Sequence, residues 1–381
     1  MNIGFYAPLK SPDSKIPSGD REMAKLLLKS LQSEGHNIKL MSHFKSRESL
    51  GLRKKQEDLK TQAEKISRDL LEKFSNNKNW QPDLWFTYHV FYKAPDLIGP
   101  KISSTLKIPY VLAEASHAPK RADGRWSMFN REVEKAVTHA DLIIGINSND
   151  RAGIKQILGK KTRYEELKPF LEISRIVNRR VERLTNRQSL QKLYGLPSNS
   201  VWLLTVGMMR EGAKFGSYKI LAKAITKMRA GEDWNLIIIG DGPLRSEIEG
   251  LFDDRIIFTG ELASEQLEKY YLSADIFLWP AINEAYGMAL LEAQSAGIPA
   301  VVGDSGGVKD ILRDNKTGLL AVEGDVNDFA NKTWSLINNT NLRKELSRNA
   351  LRITSQEHSF GPNSKRLSSW ILETLNNFKR V

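Results

Sequence analysis

Residues 279–307 read WPAINEAYGMALLEAQSAGIPAVVGDSGG, and their pattern decides the fold class. An apolar strand ends at Trp279-Pro280, and a short polar loop carries Asn283 and Glu284. Gly287 opens a helix expected to run to about Ser295, Gly297 and Pro299 end it, and residues 300–302 form the next strand. Strand, loop, helix and strand in this order make the building block of a parallel sheet. A glycine at the helix start lets an anionic ligand approach the free backbone N–H groups, and the helix dipole favours negative charge there. Glu284 precedes the helix and Glu292 lies about one and a half turns inside it. They are spaced to touch two parts of one elongated ligand whose phosphates sit at the helix start. Taken singly, Glu284 reads as a cap and Glu292 as a helix surface residue; the ordered combination is the informative feature.

The same alternation extends in both directions. Strands are expected at residues 201–206, 236–239, 256–258 and 276–278 in the second half, and at 3–7, 84–88, 109–113 and 142–145 in the first, with helices between them. A second strand of the first half follows the turn in SEGHNIKLM. The helix after the loop at residues 8–20 has Ser18 or Asp20 to cap it and Met23, Leu26, Leu27 and Leu31 on one face. Residues 46–79 are highly charged, with Leu52, Leu59, Ile66, Leu70 and Phe74 at helical spacing. They are expected to form a long helix over the first domain, its basic face either solvated or touching a membrane surface. Residues 159–200, rich in Lys, Arg and Asn, read as the end of the first domain, a connection and a lead-in helix. The expectation is two doubly wound, Rossmann-like α/β domains facing a central cleft, since such sheets bind ligands outside the carboxyl ends of their strands. The expected bounds are residues 1–185 for the first domain and 186–360 for the second, with 361–381 a C-terminal helix packing back towards the first.

The 381 residues suit two such domains. No cysteine occurs, so disulfides and thiolate metal sites are excluded. The opening MNIGFYAPLK lacks the basic and apolar regions of a secretory leader, and no apolar run approaches the ~20 residues needed to cross a bilayer. The net charge of +12 is carried by one half: residues 1–185 hold 34 Lys+Arg and 22 Asp+Glu, residues 186–381 hold 23 of each. An anionic partner for the first half follows: a membrane surface, a phosphate- or carboxylate-bearing acceptor, or nucleic acid. A basic surface kept for solubility is the competing reading. Nucleic acid is disfavoured, because neither interleaved basic and aromatic residues nor a known binding module is evident.

The stretch resembles the signature of the family 4 retaining glycosyltransferases (glycosyl transferases group 1), which have the GT-B fold. Glu284, seven residues and Glu292 are followed by GIPAVVGDSGG. The resemblance continues in TVGMMREGAKFGSYKILAKAI (205–225), IIIGDGPLRSEIE (237–249), IIFTGEL (256–262) and YYLSADIFLWP (270–280), and more loosely in PSGDREMAKLL (17–27) and YVLAEASHAPKRADGRW (110–126). It implies a catalytic set of His117, Arg210, Lys214 and Glu284. Arg210 and Lys214 would hold the donor's diphosphate, Glu284 would bind sugar hydroxyls, and His117 would sit near the transferred sugar or the acceptor. It implies donor contacts at Gly19, Gly207, Gly240, Glu261, Tyr286, Gly287, Met288, Ala289 and Glu292. Glu292 would accept hydrogen bonds from the ribose. The chain departs from the family pattern at Met208, where the arginine would directly follow the glycine, at Ala285 in place of a frequent glycine, and in having Gly19 alone in its first loop. The Lys120-Arg121 pair could reach an anionic acceptor.

The resemblance implies transfer of a sugar from a UDP- or GDP-sugar co-substrate, with no cofactor and no metal, two fixed cations standing in for Mg2+. The acceptor is expected to be a glycan, a lipid-linked saccharide or another anionic molecule in cell-surface glycan synthesis. The expected place is the cytoplasm, with a peripheral contact at the inner face of the plasma membrane left open. A nucleotide-sugar epimerase or phosphorylase of the same fold and a basic nucleic-acid-binding protein are the alternatives.

Overall fold

The computed structural model describes residues 1–15, 18–76, 80–173, 179–228 and 234–379. Pro17 of the first glycine loop lies outside them. The chain divides into two compact units, Met1–Lys168 with Gly361–Val381, and Pro169–Phe360. The division after Lys168 falls earlier in the sequence than residue 185.

The first unit is built on six parallel strands, β1 (Asn2–Tyr6), β2 (Asn37–Ser42), β3 (Leu84–Val90), β4 (Tyr110–Ala115), β5 (Leu142–Gly145) and β6 (Arg163–Glu166), in the order β2-β1-β3-β4-β5-β6. The central strands are apolar on both faces because helices cover both. Phe5, Trp85, Phe86, Val111, Leu112 and Ile143 are all fully buried, each contributing roughly 2–3 kcal/mol. The strand β6, sequence RYEE, was not expected. It is an edge strand with one neighbour, so its charges stay in water and it carries no apolar run to betray it.

The helix Gly19–Ser33 starts at Ser18, whose hydroxyl accepts from the Arg21 N–H, and buries Met23, Ala24, Leu27 and Leu31. The charged segment does form a long helix, Arg53–Asn76, which buries Phe74 of the expected stripe, but the rest of its buried line is Gln56, Ala63 and Ser67. Leu59, Ile66 and Leu70 flank that line half-buried, and Leu52 is 44% exposed ahead of the helix. Small residues at the contact let the helix lie close to the unit. The helix Phe360–Phe378 buries Leu367, Ile371 and Leu375. From the first unit's opening segment, His36 Nε2 lies 2.8 Å from its Ser368 hydroxyl.

The second unit carries β7 (Val201–Val206), β8 (Trp234–Ile239), β9 (Ile257–Phe258), β10 (Ile276–Trp279), β11 (Ala300–Gly303) and β12 (Gly318–Ala321), all parallel in the order β12-β11-β10-β7-β8-β9. This is the doubly wound order in which the chain reverses direction between β7 and β10. The strand β12, GLLA, was also not expected; four residues are too few for a periodic signal. Among the described residues no helix is long and apolar enough to cross a membrane.

Candidate functional site

The reversal between β7 and β10 opens a crevice at their carboxyl ends, and the second unit places its most distinctive polar residues there. The helix Ala213–Lys227 after β7 carries Lys214 in its first turn, and the loop after β10 carries Glu284. Lys214 Nζ lies 2.6 Å from Glu284 Oε2, and the same oxygen accepts from Trp279 Nε1 at 2.9 Å. The ammonium also stands 4.8 Å from the centre of the Trp279 ring. Trp279 is itself fixed by the edge of Tyr218, 5.4 Å away, whose hydroxyl donates to the Gly207 carbonyl at 2.7 Å. Lys214 and Glu284 are only 21% and 14% exposed, so their attraction acts in a medium less screening than water.

The loop bearing Glu284 is held from behind. Its N–H donates to the Ser305 hydroxyl at 3.3 Å, and Ser305 donates to Glu323 at 2.9 Å, which also accepts from the Asn283 N–H at 2.7 Å. Gly306 makes this approach feasible, since a Cβ there would sit 1.7 Å from the Glu284 carbonyl oxygen. Ala281 (φ 54) and Asn283 (φ 47) both adopt the left-handed conformation that side chains disfavour. Such conformations cluster at functional sites, where the surrounding structure enforces them.

Gly287 caps the helix Met288–Ser295 in the left-handed conformation, and no side chain caps that helix start. The N–H groups of Leu290 and Leu291 return to the Gly287 carbonyl, while Met288 and Ala289 lie half-buried at the first turn. Tyr286 is buried beside them. Glu292, on the same helix, accepts from the hydroxyl of buried Tyr271 at 2.8 Å. Burial, and then the Glu292 charge, push the Tyr271 phenol well above its usual range, so the bond keeps its proton on tyrosine. Gly207 and Gly240 meet where β7 and β8 end: a Cβ on Gly240 would lie 1.9 Å from the Gly207 carbonyl oxygen. Arg210 is exposed on the loop after β7, and Glu261 is exposed after β9. The structure thus brings Lys214 and Glu284 into direct contact, whereas Arg210 and Glu261 stand in solvent. Trp279, Ser305, Glu323 and Tyr271 went unread in the sequence, which carries no signal for which strand-end neighbours will meet.

The first unit reverses between β1 and β3, and it too gathers polar groups there. His89 at the end of β3 has its Nδ1 3.1 Å from Asp20 Oδ1 and 3.6 Å from Glu114 Oε1, Glu114 lying in β4. His89 (φ 64) and Glu114 (φ 59) are both left-handed. Burial pulls the His89 imidazole down, but Glu114 and Asp20 outweigh it and carry it up to about 9. Burial likewise raises Asp20, and hydrogen bonding and charge from His89 overcome this and leave it below its usual range. This cluster was not expected, because its three members come from separate elements. Gly19 is exposed as the first residue of the helix beginning after Ser18. His117 follows β4, its side chain 5% exposed, with Nε2 3.0 Å from Glu134 Oε1. Its Nδ1 is buried without a hydrogen-bond partner.

The paired parallel sheets, each reversing beneath its strand-end loops, define an α/β protein of the GT-B architecture. Solved structures share it along the whole chain. Sucrose-phosphate synthase from Thermosynechococcus elongatus gives a TM-score of 0.75 at 16% identity, covering 99% of each chain. Anabaena Alr3699/HepE in complex with UDP gives 0.74 at 15% identity, covering 98% of this chain and 100% of that one. At these identities the likeness establishes the fold alone. In sequence, residues 195–352 match the family model of the glycosyl transferases group 1. The sulfoquinovosyl transferase SQD2 of Arabidopsis thaliana is 35% identical over 125 residues, 32% of this chain and 24% of that protein. The chain spans about half or less of the length of the first curated relatives it matches.

Proposed function

We propose that the protein is a retaining glycosyltransferase that moves a sugar from a nucleotide-sugar donor to a saccharide, lipid-linked or other anionic acceptor in cell-surface glycan synthesis. The observation that carries this reading is Lys214 paired with Glu284 at the β7–β10 crevice, in the segment that joins them to the Gly287 helix start. A UDP-sugar is the first donor to test, since a neighbour of the same fold is a complex with UDP.

The chemistry follows from charge. As the glycosidic bond breaks, the departing nucleoside diphosphate gains negative charge. Lys214, exposed Arg210 and the N–H groups after Gly287 are the donors that stabilise it, and such fixed dipoles and cations cost little reorganisation. They do so here without a metal or other cofactor. Glu284 binds sugar hydroxyls once the diphosphate draws Lys214 away, and Glu292 accepts from the ribose. The leaving phosphate takes the acceptor's proton on the same face of the sugar, so the protein supplies mainly positioning and exclusion of water. Work in the cytoplasm or at the inner face of the plasma membrane suits such a donor.

The test is a screen for nucleotide release from UDP- and GDP-sugars, followed by NMR of the product's anomeric centre. One donor should be hydrolysed above the rest, with its anomeric configuration retained. Inversion would overturn the retaining reading. If no nucleotide is released and UDP and GDP fail to raise the melting temperature, donor use fails altogether.

A further inference from the structure

In the first unit, the loops leaving β3 and β4 carry two cations that the transfer steps above leave unused. A strip of rings runs along them. His89 and Phe91 lie 5.3 Å apart, Phe91 and Tyr92 5.7 Å, and Tyr92 and Trp126 5.2 Å with their planes at 78°. Trp126 is buried and Tyr92 half-buried, so the strip keeps one side wet. The ammonium of Lys93 stands 5.8 Å from the Tyr92 ring centre and 5.7 Å from that of Trp126. The Arg121 guanidinium stands 5.0 Å from the Tyr92 ring.

A ring face attracts a cation but supplies no counter-charge. No carboxylate among the described residues lies within ion-pair distance of Lys93 or Arg121. Glu48, whose backbone N–H donates to the Lys93 carbonyl, is turned away: its carboxylate accepts from the N–H groups of Leu50, Gly51 and Leu52. Arg121 Nε is buried and donates to nothing. The terminal nitrogens of a guanidinium form a fork that matches the two oxygens of a phosphate or carboxylate.

We propose that Arg121 and Lys93, held over the rings of Tyr92 and Trp126, form a subsite for the phosphate or carboxylate of an anionic saccharide, whose ring lies along the Tyr92 edge. Calling this saccharide the acceptor rests on the transferase reading; the subsite itself does not.

The experiment measures binding to the full chain of glucose 6-phosphate, glucuronate and neutral glucose, and of phosphatidylglycerol and phosphatidylcholine vesicles. UDP binding and melting temperature are recorded in parallel. At least one anionic sugar should bind about tenfold or more tightly than glucose. R121A and K93A should each lose about tenfold of that affinity, and R121K, which keeps the charge but not the fork, should recover part of it. UDP binding and melting temperature should stay unchanged. If phosphatidylglycerol alone binds, and does so through Arg121, the anion is a lipid headgroup and the saccharide subsite is overturned. The subsite is overturned if no anionic probe binds better than its neutral counterpart, or if R121A and K93A bind as the unaltered protein does. Anion binding through Arg121 in a protein that ignores every nucleotide would sink the transferase reading and leave the subsite intact.

Discussion

Lys214 Nζ and Glu284 Oε2 stand 2.6 Å apart although 70 residues separate them in the chain. An incoming diphosphate therefore competes with a carboxylate for the same ammonium. Lys214→Ala should weaken UDP binding by roughly ten- to a hundredfold, the loss of one charge-assisted hydrogen bond. Glu284→Gln removes the competitor, so UDP should bind at least as tightly while sugar transfer falls. Calorimetric titration separates the two, and equal UDP affinity for Lys214→Ala would count against the phosphate role.

Gly306 and Gly324 form a matched pair of controls. Both are left-handed, with φ of 55° and 80°, but a Cβ meets the Glu284 carbonyl oxygen at Gly306 and open space at Gly324. Gly324→Ala should cost about 1–2 kcal/mol, the conformational penalty alone. Gly306→Ala should cost more and also weaken UDP binding, because the Glu284 loop must move. Similar melting temperatures and UDP affinities for both variants would show that the loop gives way freely.

Tyr271 anchors Glu292 from the core side. Tyr271→Phe should lower stability by about 1.5–3 kcal/mol, the range for a hydrogen bond to a charged group. If Glu292 receives the ribose, the unaltered protein should bind UDP more tightly than its 2′-deoxy counterpart. Glu292→Gln should narrow that gap several-fold, and a gap of undiminished size would remove Glu292 from ribose recognition.

His89 gives the first unit a pH signature. Its folded value of about 9 exceeds the ordinary 6.5, so its stabilising contribution is complete below pH 6.5. As the pH rises from 6.5 to 9, the unfolded chain releases the proton first and that contribution is lost, on the order of 3 kcal/mol in all. Urea unfolding across this range should show the decline, and His89→Gln should flatten it. A decline of the same size in His89→Gln would assign it to other groups.

The sequence exposes what depends on neighbours along the chain and hides what depends on neighbours across the sheet. The strand β7 and the helix Met288–Ser295 were legible, because an apolar run buried on both faces and a glycine-bounded helix declare themselves locally. The strand β6 was not, since RYEE lies at an edge and keeps its charges in water. The long helix was legible, and so was Phe74 on its buried line, but Gln56, Ala63 and Ser67 beside it were not, because polar and small residues carry no hydrophobic signal. Glu284 and Lys214 were legible as candidates through their resemblance to a family; their contact needed the crossover from β7 to β10. Nothing local marks His89 and Glu114 as left-handed, so their meeting with Asp20 appears only once β1, β3 and β4 lie side by side.

The return of the last helix to the first unit sets the order in which a nascent chain can finish folding. Pro169–Phe360 is a continuous stretch, so all of its residues have left the ribosome before those of Gly361–Val381. The first 168 residues emerge earlier still, yet they wait for Leu367, Ile371 and Leu375 to cover them and for Ser368 to reach His36, 332 residues away. The unit synthesised first is therefore completed last.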